Sequence, residues 1–202
     1  MKLYYSPGAC SLSPHIALRE AGQTFELQKV DLKTKKMEGG GEYTEVNPKG
    51  YVPALRLDDG QVLTEGPAIV QYVADHSPDS GLAPRPGTIE RYRLQETLNF
   101  ISSEIHKSFS PLFRADAAPE WKQAATDNLT KRFDLLAKQL DGKDYLFGKQ
   151  FTVADGYLFT TLNWSKFVNL DLGRWPTLQA YVARVASRPK VQEALRAEGL
   201  VK

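Results

Sequence analysis

Between residues 77 and 87 the chain reads SPDSGLAPRPG, and the hydrophobic pattern differs on its two sides. Three prolines and two glycines in that stretch continue neither a helix nor a strand, so it reads as a linker. Upstream, apolar runs are short and end in breakers. Residues 2–6 (KLYYS) predict a strand stopped by Pro7-Gly8, and residues 25–30 alternate as a second strand. Residues 52–57 and 61–63 predict a hairpin around Asp58-Asp59-Gly60. A helix capped by Ser11, with Pro14 in its first turn, runs to Gly22, and another opens at Glu65. Residues 33–49 are polar and predict a loop with a short helix. The order β-α-β-(α)-β-β-α reads as two strand–helix–strand elements around a small mixed sheet. Downstream, Ile89, Leu94, Leu98, Ile101, Ile105, Phe109 and Leu112 fall mainly at steps of three and four, the period of an amphipathic helix. Trp121, Ala125, Leu129, Phe133, Leu136 and Leu140 repeat it, and further helices start near Thr152, Pro176 and Pro189. The expected architecture is an α/β unit over 1–80 and an all-helical unit over 87–202. Each is expected to have its own core, of roughly 80 and 110 residues.

Composition removes several classes of function. A net charge of +2 makes no case for nucleic acid or an anionic membrane. No apolar run approaches the roughly 18 residues of a membrane span. Ser, Pro and Gly interrupt the first ten residues before any signal-peptide core forms. Cys10 is the sole cysteine, which excludes an internal disulfide, a CxxC dithiol and a cysteine zinc site, and points to a reducing cytosol.

Four local patterns carry chemistry. In Tyr51-Val52-Pro53-Ala54-Leu55 a proline opens an interior strand. A cis Val52-Pro53 bond, as in thioredoxin-like folds, would leave the N–H and C=O of Val52 free for an extended peptide. Twelve residues on, Glu65-Gly66 opens a helix, whose free N–H groups suit a carboxylate while Glu65 suits an ammonium. Cys10 lies at a helix start, where thiolates are stabilised, although a lone cysteine also serves as inert packing. Asn99, Ser102, Ser103 and His106, with Lys107 adjoining, form a polar stripe suited to a cleft or to a solvated face. Thr152 and Asp155 form a capping-box variant and read as structural; so does His15, while His76 reads as surface. The three histidines make no metal-ligand spacing.

The stretches MKLYYSPGACSLSPHIALREAG, VNPKGYVPAL, LTEGPAIVQYVAD, LNFISSEIHKSF and FTVAD together resemble the cytosolic glutathione transferases, most closely the bacterial beta class. The resemblance spans essentially the whole chain. It implies a thioredoxin-like first half, a helical-bundle second half, glutathione as co-substrate, no metal, and a homodimer. It further implies that Cys10 takes the place of a catalytic Tyr or Ser and forms a mixed disulfide with glutathione. Tyr5 lies near that site, and Val52, with Pro53 cis, pairs with the cysteinyl backbone. Glu65 and Gly66 hold the γ-glutamyl end, Lys35 the glycyl end, and Asn99, His106 and Lys107 reach the thiol region. Helix dipoles, Cys10 and His106 are then expected to favour the glutathione thiolate, which attacks an apolar electrophile among Phe109, Phe113 and Trp164. Thiol–disulfide exchange through Cys10 accompanies conjugation on this reading. Reductive dehalogenation in aromatic degradation and non-catalytic ligand binding are the alternatives.

Overall fold

The computed structural model describes residues 1–202. Strands β1 (Lys2–Tyr5), β2 (Glu26–Lys29), β3 (Ala54–Arg56) and β4 (Val62–Thr64) form one sheet in the order β2-β1-β3-β4. β1 runs parallel to β2 and antiparallel to β3, and β3 and β4 are antiparallel. Helix α1 (Leu12–Glu20) is the crossover between β1 and β2, and α2 (Gly66–Asp75) follows β4. Only the first of the two expected strand–helix–strand elements is present; the second is a hairpin followed by a helix. The polar 33–49 segment holds one short 3-10 turn, Tyr43–Glu45.

The two-residue period of β1 divides the interior. Leu3 and Tyr5 face the helices, while Tyr4 faces the other side of the sheet with Val30, Tyr43, Val52 and Ala54. The expected division into one core per half is not what forms. A single cluster of 37 buried residues runs from Leu3 to Leu195 across both halves, and only the 5-residue cluster behind the sheet is separate. The 77–87 segment is correspondingly tight. Leu82 is buried, Val153 N–H donates to its carbonyl at 2.9 Å, and the buried Arg91 binds Asp75 through two 2.7 Å contacts while also donating to Pro84.

The helical half contains α3 (Ile89–Phe100), α4 (Ser110–Phe113), α5 (Pro119–Gln139), α6 (Val153–Leu162), α7 (Pro176–Ala186) and α8 (Pro189–Ala197). α3 continues through a π-helical turn, Ile101–His106, and a 3-10 turn, Lys107–Phe109, before α4. Ile101, Ile105 and Phe109 are four apart and all buried, a spacing that the wider π turn keeps on one face. Ile89 and Trp121, included in the apolar stripes, are instead 64% and 49% exposed, because the first turns of α3 and α5 extend past the core. Ser11 is not a side-chain cap for α1; its hydroxyl accepts from Ser6 N–H and donates to Ser6 C=O, bracing the loop before the helix. No helix is long and apolar enough to cross a membrane.

Every residue of α6 is buried, as befits a central helix. Its entry is fixed by Asp155, whose carboxylate accepts from Leu146 N–H (2.8 Å), Thr152 N–H (2.8 Å), Thr152 Oγ1 (2.9 Å) and Tyr181 OH (2.9 Å). Burial holds this carboxyl above its ordinary pKa, and those donors oppose the shift. Replacing Asp155 with Ala strands all the donors at once, and is expected to cost about 3–5 kcal/mol and to lower the thermal midpoint by roughly 10 °C. Calorimetry on the variant checks this; an unchanged midpoint with lost turnover would move Asp155 from folding to chemistry.

Candidate functional site

Two cavities meet at Cys10 and His106, which line both. One, of about 300 Å³, is bounded by Tyr51, Val52, Pro53, Glu65, Gly66, Pro67, Ser102, Lys107 and Tyr157. The other, of about 440 Å³, is walled by Phe109, Phe113, Trp164, Phe167, Leu32 and Leu200, with Ser6, Pro7, Gly8, Ala9 and Ser110 completing it.

Cys10 reaches the junction on a loop held at three points. Ser11 braces Ser6, as described. Gly8, whose φ of +70° suits glycine, donates its N–H to Glu198 Oε2 at 2.9 Å and accepts from Trp164 Nε1 at 2.9 Å. Glu198 is in turn bound to His15 Nδ1 at 2.8 Å, both side chains fully buried, so His15 is structural as read. The Cys10 thiol donates to Val52 C=O at 3.1 Å. Its pKa is pushed up to about 12, by burial above all and also by Glu65; the backbone N–H groups of Cys10 and Ser11 and the charge of Lys107 act the other way. The lowered pKa expected of a helix-start cysteine is therefore not found in the ligand-free chain. The helix-start amides do favour the anion, but loss of water outweighs them.

The Val52-Pro53 peptide is cis, as the sequence predicts. The expectation that Val52 keeps its carbonyl free is corrected by the Cys10 contact, although that oxygen has a second lone pair. The turn before it is pinned by Asn47 Nδ2 and Tyr43 OH, which donate to Tyr51 C=O at 2.7 and 3.0 Å. Glu65 adopts φ +70°, a left-handed conformation that a non-glycine residue enters at a cost of about 1–2 kcal/mol. Its carboxylate accepts from Lys49 Nζ at 2.6 Å and Tyr51 OH at 2.9 Å, and the Lys49 bond leads in holding its pKa below the usual range. Gly66 follows at the first position of α2, where an N–H has no partner within the helix.

His106 ends the π turn. Its Nδ1 lies 2.7 Å from Tyr157 OH, and its ring meets Trp164 edge-on at 4.8 Å. Burial, reinforced by Lys107 and opposed by Glu65, lowers its pKa to about 4. His106 is neutral near pH 7, so what it can offer a thiolate is a neutral hydrogen bond and not a charge. Phe109, Phe113 and Trp164 form an aromatic triangle with centroids 5.5–6.2 Å apart.

Three residues singled out by resemblance line neither cavity. Tyr5 is in the core beside His15, Asn99 is exposed, and the stem of Lys35 lies near Gly50 and Thr44. Asn99 is seven residues before His106, nearly two turns of a regular α-helix, and the intervening π turn rotates it off that face. Lys107 is the lysine that lines the cavity, and Lys49 is bound to Glu65 at its edge. Tyr51 and Tyr157 line the cavity without figuring among the residues the sequence points to, while Lys49 is one of the lysines near Lys35 that compete for its role. Lys49 and Tyr51 belong to the VNPKGYVPAL stretch, whereas nothing in the sequence marks Tyr157 beyond its place two residues past Asp155. His76 is exposed, as read.

Residues 8–76 match the family described as Glutathione S-transferase, N-terminal domain, and residues 100–189 match Glutathione S-transferase, C-terminal domain. The chain is 50% identical to glutathione S-transferase GstA of Escherichia coli O157:H7 over 99% of this chain and 100% of the relative. Its structure superposes with a TM-score of 0.98 on a ternary complex of BphK, a bacterial GST, at 63% identity over 99% of this chain and 100% of that one. A sphingomonad glutathione S-transferase complexed with glutathione gives 0.96 at 51% identity, and a beta-class enzyme of Sphingomonas chungbukensis gives 0.96 at 53%, both over 100% of each chain. With both halves of the family pattern present in one chain, and a cleft of this form between them, the protein belongs to the glutathione S-transferase family, in its bacterial beta class.

Proposed function

We propose that the protein binds glutathione in the 300 Å³ cavity and conjugates its thiolate to an apolar electrophile held in the 440 Å³ cavity. The observation that carries this reading is the junction itself: a charged, backbone-rich cavity and an aromatic one share Cys10 and His106. Glutathione lies extended along Val52, adding main-chain hydrogen bonds there. The γ-glutamyl carboxylate takes the free N–H of Gly66 at the start of α2. Its ammonium meets the Glu65 carboxylate, which the Lys49 and Tyr51 contacts keep ionised. The cysteinyl sulfur then comes to the junction.

There the backbone N–H groups of Cys10 and Ser11, the neutral His106 and the charge of Lys107 surround the sulfur. The glutathione S–H gives its proton to solvent, and the thiolate attacks an electrophilic carbon. A C–S bond forms and the leaving group departs with its electron pair. Main-chain pairing of glutathione on Val52 competes with the thiol for that carbonyl, freeing Cys10 S–H to donate to the glutathione sulfur. Cys10 thereby assists without being the nucleophile. A thiol pushed up to about 12 places conjugation ahead of disulfide exchange in this reading. Product analysis separates the readings: conjugation yields a thioether, dehalogenation yields halide with a reduced product, and pure binding yields neither. The proposed assembly is a homodimer in the cytoplasm, in keeping with apolar surface at Ile89 and Tyr92 on α3.

Glu65→Gln removes the counter-charge without changing size, and is expected to raise KM for glutathione roughly tenfold or more with little change in thermal midpoint. An unchanged KM would sink the assignment of the γ-glutamyl end. For Cys10, the pH dependence has a definite sign. With a pKa of about 12, its thiolate fraction is below that of free cysteine at neutral pH and keeps rising through pH 9–10. Alkylation by iodoacetamide is expected to be slower than for free cysteine and to show no plateau in that range, whereas a plateau near pH 7 would restore the reactive-thiolate reading. Light scattering tests the assembly, with a concentration-independent monomer counting against it.

A further inference from the structure

The Tyr157 hydroxyl is buried on α6 and lies 2.7 Å from His106 Nδ1, while Ser102, four residues before His106, lines the same cavity. A neutral imidazole has one N–H and one lone pair, so this contact decides which nitrogen keeps the proton. An imidazole lone pair is a far better acceptor than a phenol oxygen, and a buried phenol must place its O–H on some acceptor. The hydroxyl therefore donates and Nδ1 accepts, which leaves the proton on Nε2. With Nδ1 bound to Tyr157, Nε2 is the ring nitrogen that this contact leaves free, on a side chain that lines both cavities beside Cys10. The ring has little freedom to turn, because Trp164 meets it edge-on at 4.8 Å and the Tyr157 ring at 5.9 Å. Tyr157 is itself fixed, two residues beyond the Asp155 cap on a fully buried helix.

We propose that Tyr157 is a positioning residue that locks His106 in its Nε2–H form, so that the ring offers sulfur a neutral hydrogen-bond donor and not a basic lone pair. This rests on the reading that the glutathione sulfur sits beside Cys10. The two forms do opposite chemistry. A lone pair facing the junction would take the proton of an S–H as a general base and would repel the thiolate once formed. An N–H cannot take that proton, and stabilises the thiolate after the proton has gone to solvent. The low pKa of His106 agrees with a ring that stays neutral in either case. Tyr157 touches no reacting atom on this account and acts through the imidazole.

The test begins with the unmodified, ligand-free protein labelled with 15N at histidine. The His106 spectrum is expected to show an unprotonated Nδ1 and a protonated Nε2, and a protonated Nδ1 overturns the proposal whether or not any variant folds. In Tyr157→Phe the His106 ring is expected to shift toward the other form or to average between the two. The kcat for conjugation should then fall roughly tenfold, KM for glutathione should stay within about twofold, and the apparent pKa of bound glutathione, followed by thiolate absorbance, should rise. A folded variant with an unaltered His106 spectrum and unaltered kcat overturns the proposal. Glutathione titrated into the unmodified protein should move the Nε2 resonance. Failure to move it overturns the placement of the sulfur and with it this role for the N–H, and is distinguishable because the ring form is read before glutathione is added.

Discussion

The buried carboxylate of Asp155 fixes the helix on which the remaining geometry depends. It joins the 146 segment, the start of α6 and Tyr181 of α7 in one set of hydrogen bonds. α6 then meets α1 so closely that a Cβ on Gly156 would stand 3.4 Å from Ile16 Cγ2. α1 starts just after Cys10, and α6 carries Tyr157 to His106. The site is thus built from two halves that share one interior, and a disturbance at the cap of α6 reaches both.

Inside the cleft the balance of burial against partners sets the charge of each group. Glu65 keeps enough contact with water and with Lys49 to be held ionised, whereas Cys10 and His106 are held neutral by desolvation. The junction is therefore uncharged at its centre, with Lys107 and Glu65 among the residues lining the cavity beside it. At the centre Cys10 and His106 are neutral, a setting in which hydrogen bonds to an anion are strong because competing water is scarce.

The sequence is informative where a pattern is local. Breakers and alternation marked the strands, Val52-Pro53 its cis bond, and Thr152 with Asp155 the cap of α6. It is silent where the partner is remote. The state of the Cys10 thiol depends on Val52 C=O, 42 residues on, and on burial that only the assembled halves create. The π turn was half visible, since the four-residue steps from Ile101 to Phe109 suit it, but a regular helix of mixed threes and fours absorbed them. That misphasing put Asn99 on the cavity face in the sequence reading. Tyr5 and Lys35 came from resemblance alone, without a local pattern to place their side chains. The shared core escaped notice because hydrophobic periodicity says which face of a helix is buried and not which half of the chain covers it.

The Gly8–Glu198 contact joins residues 190 positions apart. Ribosomes build chains from the N-terminus, so the loop bearing Cys10 is made 190 residues before its brace. His15, which orients Glu198, likewise waits for α8 to emerge. During synthesis the sheet has its strands long before the loop has its fixed shape, and a chain interrupted before α8 presents Cys10 on a loop without its carboxylate anchor. In this protein the loop at the junction takes its fixed shape only once residue 198 is in place.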